Sequence, residues 1–264
     1  MREETKKKTR SAVAAVALVV VTAAGTAAAV HASTSPPVAA TVTPGTALMF
    51  ATATDEPIVD VVSAAIPSVV TVRSQVRTLG PFGESDGEAV GTGFVVRADG
   101  FILTNQHVID GASSVSVTTA SGEEHPAEVI AQDAEHDLAV LKIDATGLPA
   151  LALGRSDTLA MGDSVVAIGF ALDLSGGPTV TSGILSSLDR SIDVGNSSGT
   201  GSSVRRYEGL LQTDAALNHG NSGGPLLTLD GRVIGVNVAG GDSVENIGFA
   251  IPIDVARPLL DRAF

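Results

Sequence analysis

Gly220-Asn221-Ser222-Gly223-Gly224-Pro225 sets one serine among glycines. A serine so flanked can sit on a sharply turned backbone with its hydroxyl exposed. The N–H groups around it can then converge on one point, where an oxyanion would develop. Taken alone, the string also fits the G-x-S-x-G elbow of α/β-hydrolases, and chain order separates the two readings. In α/β-hydrolases the histidine follows the serine. Here the five histidines are His31, His107, His125, His136 and His219, and none follows Ser222. A histidine base must therefore come from upstream, in the order His, Asp, Ser known from chymotrypsin-like enzymes.

His107 is the candidate base. It lies in Thr104-Asn105-Gln106-His107-Val108, directly after the apolar run Phe101-Ile102-Leu103, so a strand end can aim it at a nucleophile. The third member must be a buried carboxylate that orients the imidazole. Asp137 precedes the apolar run Leu138-Ala139-Val140-Leu141 and suits that role better than Asp133 or Asp110, which read as surface loop acids.

Outward from these residues the chain reads as short strands and turns. Gly93–Val96 and Phe101–Thr104 flank Asp99-Gly100, a hairpin signal. Ser114–Thr118 alternates, and Leu138–Ile143 is a further apolar run. Residues 147–156 are turn-rich and mark a boundary. A second set follows at Ser164–Ile168, Thr179–Leu185, Leu226–Leu229, Arg232–Val238 and Gly248–Ile251. Asp254 is placed to cap a short final helix from Val255, with Pro258 in its first turn. Two similar all-strand halves predict an all-β fold of two packed barrels, over residues 57–153 and 154–264.

Composition agrees. Aromatics are only 3% of the 264 residues, so the core must be built from Val, Ile, Leu and Ala. The net charge is -13. Past the first ten residues it is 11 basic against 27 acidic groups, or -16. Such a surface repels phosphate backbones, which argues against nucleic-acid binding. There is no cysteine, hence no disulfide framework, thiolate metal site or cysteine nucleophile. No metal-binding histidine spacing, EF-hand pattern or phosphate loop occurs, so no metal or cofactor is expected.

The N-terminus is the exception to the acidity. A basic head (Arg2, Lys6, Lys7, Lys8, Arg10) precedes an apolar run from Ala12 to Val30. Residues 1–32 therefore read as a signal peptide or a membrane anchor. The run is Ala-rich and mildly hydrophobic, which favours cleavage before Ser33. Either way the remainder is exported, secreted or held at the membrane by this segment alone. Residues 33–56, rich in Thr, Pro and Ala, read as a flexible linker.

The stretches GTGFVVRADGFILTNQHVIDGA, DAEHDLAVLKI, LGRSDTLAMGDSVVAIG, VTSGILSSL, LQTDAALNHGNSGGPLLTLDGRVIGVNV and IGFAIP resemble, in order, the HtrA/Deg family of serine peptidases. They cover nearly all of residues 57–264. The resemblance implies two six-stranded antiparallel β-barrels of the chymotrypsin type with a short C-terminal helix and an active site in the crevice between them. It implies hydrolysis of peptide bonds in unfolded or misfolded polypeptides. It also implies Ser222 as nucleophile, His107 as base and then acid, Asp137 as orienting acid, and an oxyanion hole at Gly220, Asn221 and Ser222. His219 departs from the pattern. It reads as an exposed loop residue or as a group whose protonation shifts the loop.

The trypsin specificity acid would fall at Ala216, and Asp214 is out of register and expected to pair within its loop. A small apolar pocket for Val, Ala, Ile or Leu follows, with Asn237, Val238 and Ala239 beside Ala216. PDZ domains common in the family would lie past Phe264, where the chain ends. The segment between Val76 and Gly91 reads as a short loop, too short to bridge a trimer. A homotrimer of the family kind would use N-terminal aromatics, and Phe50 is the only one before residue 57. A chaperone-like binder of unfolded chains, and an esterase using the same serine, are the alternative readings.

Overall fold

The computed structural model describes residues 56–80, 83–171, 176–196, 203–238 and 246–264. The expected leader, the linker up to residue 55 and Ala239 lie outside them. The described chain opens with a helix, α1 (Glu56–Ala65). Ile58, Val61, Val62 and Ala65 recur along one face of it and pack into the core. This helix begins inside the stretch read as linker.

Six strands follow: β1 (Val69–Gly80), β2 (Gly83–Arg97), β3 (Phe101–Thr104), β4 (Ala112–Thr118), β5 (Glu124–Asp133) and β6 (Leu138–Ile143). They close a barrel in the order β1-β2-β3-β6-β5-β4. Six more are β7 (Ser164–Gly169), β8 (Thr179–Asn196), β9 (Ser203–Thr213), β10 (Pro225–Thr228), β11 (Val233–Val238) and β12 (Gly248–Pro252). They close a second barrel in the same relative order, β7-β8-β9-β12-β11-β10. The expected all-β, two-barrel architecture with a terminal helix is therefore present.

The period-2 alternation of strands explains the continuous apolar runs. In β6, Ala139, Leu141 and Ile143 belong to a cluster confined to the first barrel, whereas Leu138 and Val140 belong to one shared with the second. In β7, Val165 and Ala167 fill the second barrel while Val166 and Ile168 join the shared cluster. Strands buried on both faces carry no polar alternation. The shared layer also takes in Phe94 and Leu103 from one barrel and Leu227, Val236 and Ile251 from the other.

Two stretches differ from expectation. Past Val76, where β1 leaves β4, it stays paired with β2 from Val76↔Gly87 to Gly80↔Gly83. The stretch read as a loop is a two-stranded extension. The β8–β9 hairpin extends likewise, from Ile192↔Tyr207 to Asn196↔Ser203.

The final helix, α2 (Ile253–Ala263), starts after Pro252, and Pro258 lies in its second turn rather than its first. Asp254 does not cap this helix. Its Oδ2 accepts from Ser156 N–H (2.7 Å), Ser156 Oγ (2.8 Å) and Asp157 N–H (3.2 Å), and Arg257 Nε donates to its Oδ1 at 2.7 Å. It thus ties α2 to the connector between the barrels. Burial alone would raise the Asp254 carboxyl, but the Arg257 and Ser156 donors outweigh it and hold it down at about 2.

Asp254→Ala is expected to cost ~1–3 kcal/mol, a fall in Tm of roughly 2–10 °C. A depressed carboxyl contributes fully above its unfolded value near 4 and loses that contribution as pH falls toward 2. The stability gap between wild type and variant in denaturant unfolding should therefore narrow between pH 5 and 2.5. A gap constant over that range would count against this tie.

Candidate active site

Strand β3 is buried through Ile102, Leu103 and Thr104 and delivers the chain into a 3-10 turn, Gln106–Val108. Val108 is buried and Ser74 Oγ donates to its carbonyl at 2.6 Å. Gly91 leaves the room Val108 needs, since a Cβ there would lie 2.7 Å from its methyls. With its neighbours anchored, His107 is held at the surface, its side chain 38% exposed.

Asp137 closes the turn before β6 and is wholly buried. Its φ is 57°, the left-handed region, which Asp tolerates better than most residues. The contacts it makes hold it there. Its carbonyl accepts from Gln106 N–H (3.1 Å) and Asn105 Nδ2 (3.0 Å). Its Oδ1 accepts from His107 N–H at 2.9 Å, and its Oδ2 faces His107 Nδ1 at 2.7 Å. An ionised carboxylate only accepts, so the ring proton sits on Nδ1 and Nε2 carries the lone pair of the neutral imidazole. Of the three acids weighed, Asp137 is the one bonded to His107. Asp110 accepts from Gln106, and Asp133 pairs with His136.

Two partners of Asp137 carried no motif in the sequence. Tyr207 Oη donates to Oδ2 at 3.0 Å, and Arg205 forms an ion pair with Oδ1 while its other nitrogen donates to Gln106 Oε1 at 2.9 Å. Burial, reinforced by the Asp137 charge, pushes the Tyr207 phenol well above its usual range, so it remains a donor. Burial works against the Arg205 cation, but the Asp137 charge, the Tyr207 contact and the hydrogen bond to Asp137 together outweigh it. Both residues sit on the extension of β9, beyond its last pair with β12. The alternation of Arg205 and Tyr207 was the available signal. It is a weak signal, because charged residues in a strand suggest solvent.

The serine stretch lies across the junction of the barrels. Asn221 N–H bonds to Asn218 carbonyl at 3.0 Å, closing a turn in which Gly220 has φ 94°. Positive φ at the third residue marks a type II turn and favours glycine. Thr92 of β2 reaches over from the first barrel. Its Oγ1 donates to Gly220 carbonyl (2.6 Å) and accepts from Phe170 N–H (2.8 Å), and its own N–H donates to Ser222 carbonyl (2.9 Å). A Cβ on Gly223, at φ 85°, would lie 2.1 Å from Thr92 carbonyl oxygen, 2.3 Å from Thr104 Oγ1 and 3.1 Å from Asn105 N. The serine turn is therefore seated on the segment that leads to His107, and the packing demands glycine there. Ser222 is 6% exposed, and His219 is exposed at the second position of the turn.

The expected pocket residues are dispersed in role. Ala216 is exposed, and its carbonyl accepts from Thr181 Oγ1. Asn237 is fully buried and its amide donates to Pro225 carbonyl at 3.1 Å, so its side chain serves the barrel. Val238 is buried and Ala239 lies outside the described residues. Asp214 pairs outside its own loop. Its Oδ1 accepts from Ile184 N–H of β8 at 2.7 Å. Among the described residues no three His, Asp or Glu side chains converge as metal ligands, and no helix is long and apolar enough to cross a membrane. The apolar run 12–30 lies outside the described residues.

Residues 91–236 match the family model for the trypsin-like peptidase domain. The chain is 45% identical over 179 residues to a probable periplasmic serine endoprotease DegP-like of Chlamydia pneumoniae, covering 66% of this chain and 34% of that one. It is 43% identical over 204 residues to the serine protease HTRA1 of Xenopus tropicalis, covering 77% and 42%. The chain thus spans about a third to two-fifths of the length of these curated relatives. Among solved structures it is similar to the HtrA-type protease AlgW with a decapeptide (TM-score 0.64, 36% identity, 77% of this chain and 66% of that one). The serine endoprotease from Yersinia pestis is similar as well (TM-score 0.60, 35% identity, 77% and 65%).

Thr92→Val keeps the shape of the side chain but leaves Gly220 carbonyl and Phe170 N–H without this partner. A loss of ~2–4 kcal/mol is expected by chemical denaturation, with a loss of Ser222 reactivity toward a fluorophosphonate of at least tenfold. Thr92→Ser should retain both. Equal behaviour of the Val and Ser variants would exclude the hydroxyl as the pin.

Proposed function

This chain belongs to the trypsin-like peptidase family and is of the HtrA type; from that premise we propose that it is a serine endopeptidase with Ser222, His107 and Asp137 as its catalytic residues. The observation that carries the reading is the buried Asp137 carboxylate bonded to His107 Nδ1 at 2.7 Å, beside a serine turn seated on Thr92 and Asn105.

In the proposed reaction Ser222 Oγ attacks the scissile carbonyl carbon as its proton passes to His107 Nε2. The Gly220 and Ser222 N–H groups, with Asn221 between them, receive the oxyanion. The protonated His107 then gives its proton to the leaving amine as the C–N bond breaks. Water repeats the sequence on the acyl-enzyme and restores Ser222. Asp137 keeps the Nδ1 tautomer and stabilises the imidazolium without taking the proton. Asn221 N–H bonds to Asn218 carbonyl and closes the turn in which Gly220 has φ 94°. This type II turn favours a formed oxyanion hole over the chaperone-like reading.

The substrates we propose are unfolded polypeptides outside the cytoplasm, in keeping with the DegP-like relatives, with cleavage after small apolar residues because Ala216 stands where a specificity acid would attract Lys or Arg.

A fluorophosphonate should label wild type at Ser222 and leave Ser222→Ala unlabelled. Asp137→Asn should lower kcat by roughly 10^3–10^4. Digestion of a reduced, unfolded protein, with the new termini read by mass spectrometry, should give Val, Ala, Ile or Leu before the cut. Labelling without any cleaved peptide bond would favour the esterase reading, and predominant cuts after Arg would overturn the pocket.

A further inference from the structure

The proposed triad places a buried carboxylate beside the base, and Arg205 adds a permanent cation to the same carboxylate. We propose that Arg205 is a positioning residue for the His107–Asp137 pair, holding both sides of His107 from the second barrel and limiting how strongly Asp137 favours the protonated imidazole. The inference rests on the peptidase reading for its effect on turnover. Its effect on His107 stands on geometry alone.

The guanidinium spans two acceptors, Asp137 Oδ1 and Gln106 Oε1. Gln106 immediately precedes His107 in the 3-10 turn, and its amide nitrogen donates on to Asp110 at 2.9 Å. A planar fork can meet both acceptors at once, whereas a lysine ammonium is a point charge on a flexible stem. Arg205 therefore grips the turn that carries His107 on one side and the acid that orients it on the other. The hold comes from a different barrel, through the β8–β9 extension where Val194↔Arg205 and Ile192↔Tyr207 are paired.

The charge follows from the same contacts. Asp137 is fully buried, and four donors converge on it: His107 N–H, His107 Nδ1, Tyr207 Oη and Arg205. One of the four carries a permanent positive charge. A cation across the carboxylate from the imidazole opposes formation of a second cation there. The other charged groups nearby are engaged locally. Asp133 is bonded to His136 on the turn before Asp137, Arg206 on the opposite face of β9 pairs with Glu208 and Asp193, and Asp110 is bonded to Gln106. His219, on the serine turn, is exposed. Arg205 is thus the cation that meets the carboxylate directly. A permanent cation there favours the neutral imidazole, the form able to act as a base.

Arg205→Gln and Arg205→Lys separate the two effects. Arg205→Gln should move the acid limb of kcat/KM upward by about half to one pH unit, a loss of roughly three- to tenfold on that limb, with KM little changed. Arg205→Lys retains the charge but not the fork, so its acid limb should stay in place while kcat falls roughly threefold or more. The midpoint of the His107 ring resonances in an NMR titration should follow the same order, and this readout needs no turnover. An unmoved midpoint in Arg205→Gln would overturn the electrostatic role. Wild-type behaviour of Arg205→Lys in both kcat and midpoint would overturn the clamp. If Arg205→Gln does not fold, Arg205→Lys alone decides: lowered kcat with the midpoint retained supports the proposal, and a midpoint shifted upward refutes it. A shifted midpoint in Arg205→Gln together with no peptide or ester hydrolysis by wild type would sink the peptidase reading and leave the role of Arg205 standing.

Discussion

The site depends on one side chain, Thr92, which bonds across the junction of the barrels. Its hydroxyl and backbone engage Gly220, Phe170 and Ser222, and its carbonyl accepts from Thr104 Oγ1 at 2.7 Å. A shared apolar layer can hold two barrels together, but it is non-directional and tolerates small slips. Hydrogen bonds of fixed length do not. Thr92 converts a greasy contact into a defined register, with the serine turn of one barrel set against the strand end that carries the histidine in the other. Gly223 and Gly224 follow from this. Their would-be Cβ atoms would lie 2.1 Å from Thr92 carbonyl oxygen and 2.2 Å from Ile168 carbonyl oxygen, so the turn can come this close only because side chains are missing there.

Asp137 poses the opposite problem. A buried carboxylate is costly unless its oxygens are paired. Here each oxygen has two donors, and the carbonyl of the same residue has two more. That density of contact stabilises a left-handed aspartate whose strain would otherwise favour a different turn. It also fixes the imidazole tautomer, because an acceptor-only group leaves Nδ1 no role except donation.

Much of this was legible in the sequence. Strands buried on both faces, such as Leu138–Ile143 and Val233–Val238, stood out as apolar runs, and chain order alone put the base upstream of Ser222. The polar, Gly-rich continuation of β1 into β2 reads as a loop. Strands β5 and β9 are likewise hidden. Glu124, Pro126, Glu128 and Asp133 in β5 resemble a loop, and Arg205, Arg206 and Glu208 in β9 resemble a solvated face. Local pattern could not reveal that Arg205 and Tyr207 point at a carboxylate some 70 residues earlier in the chain. The role of Asp254 is hidden from the sequence for the same reason. Its position suggested a cap, and its partners, Ser156 and Asp157, are nearly 100 residues away.

The long-range contacts share a direction that gives the site its cooperativity. The serine turn belongs to the second barrel and is pinned by Thr92 of the first. The acid belongs to the first barrel, and its charge is met by Arg205 and Tyr207 of the second. Each barrel therefore completes the part of the site that the other carries. A relative slip would leave Gly220 carbonyl without its donor and Asp137 without its cation together, and both losses are of groups that tolerate isolation poorly. Coupled penalties of this kind make the aligned arrangement a single well rather than a range of positions. The base and nucleophile we propose lie on separate barrels and need that property, since small misplacements between reacting groups are costly.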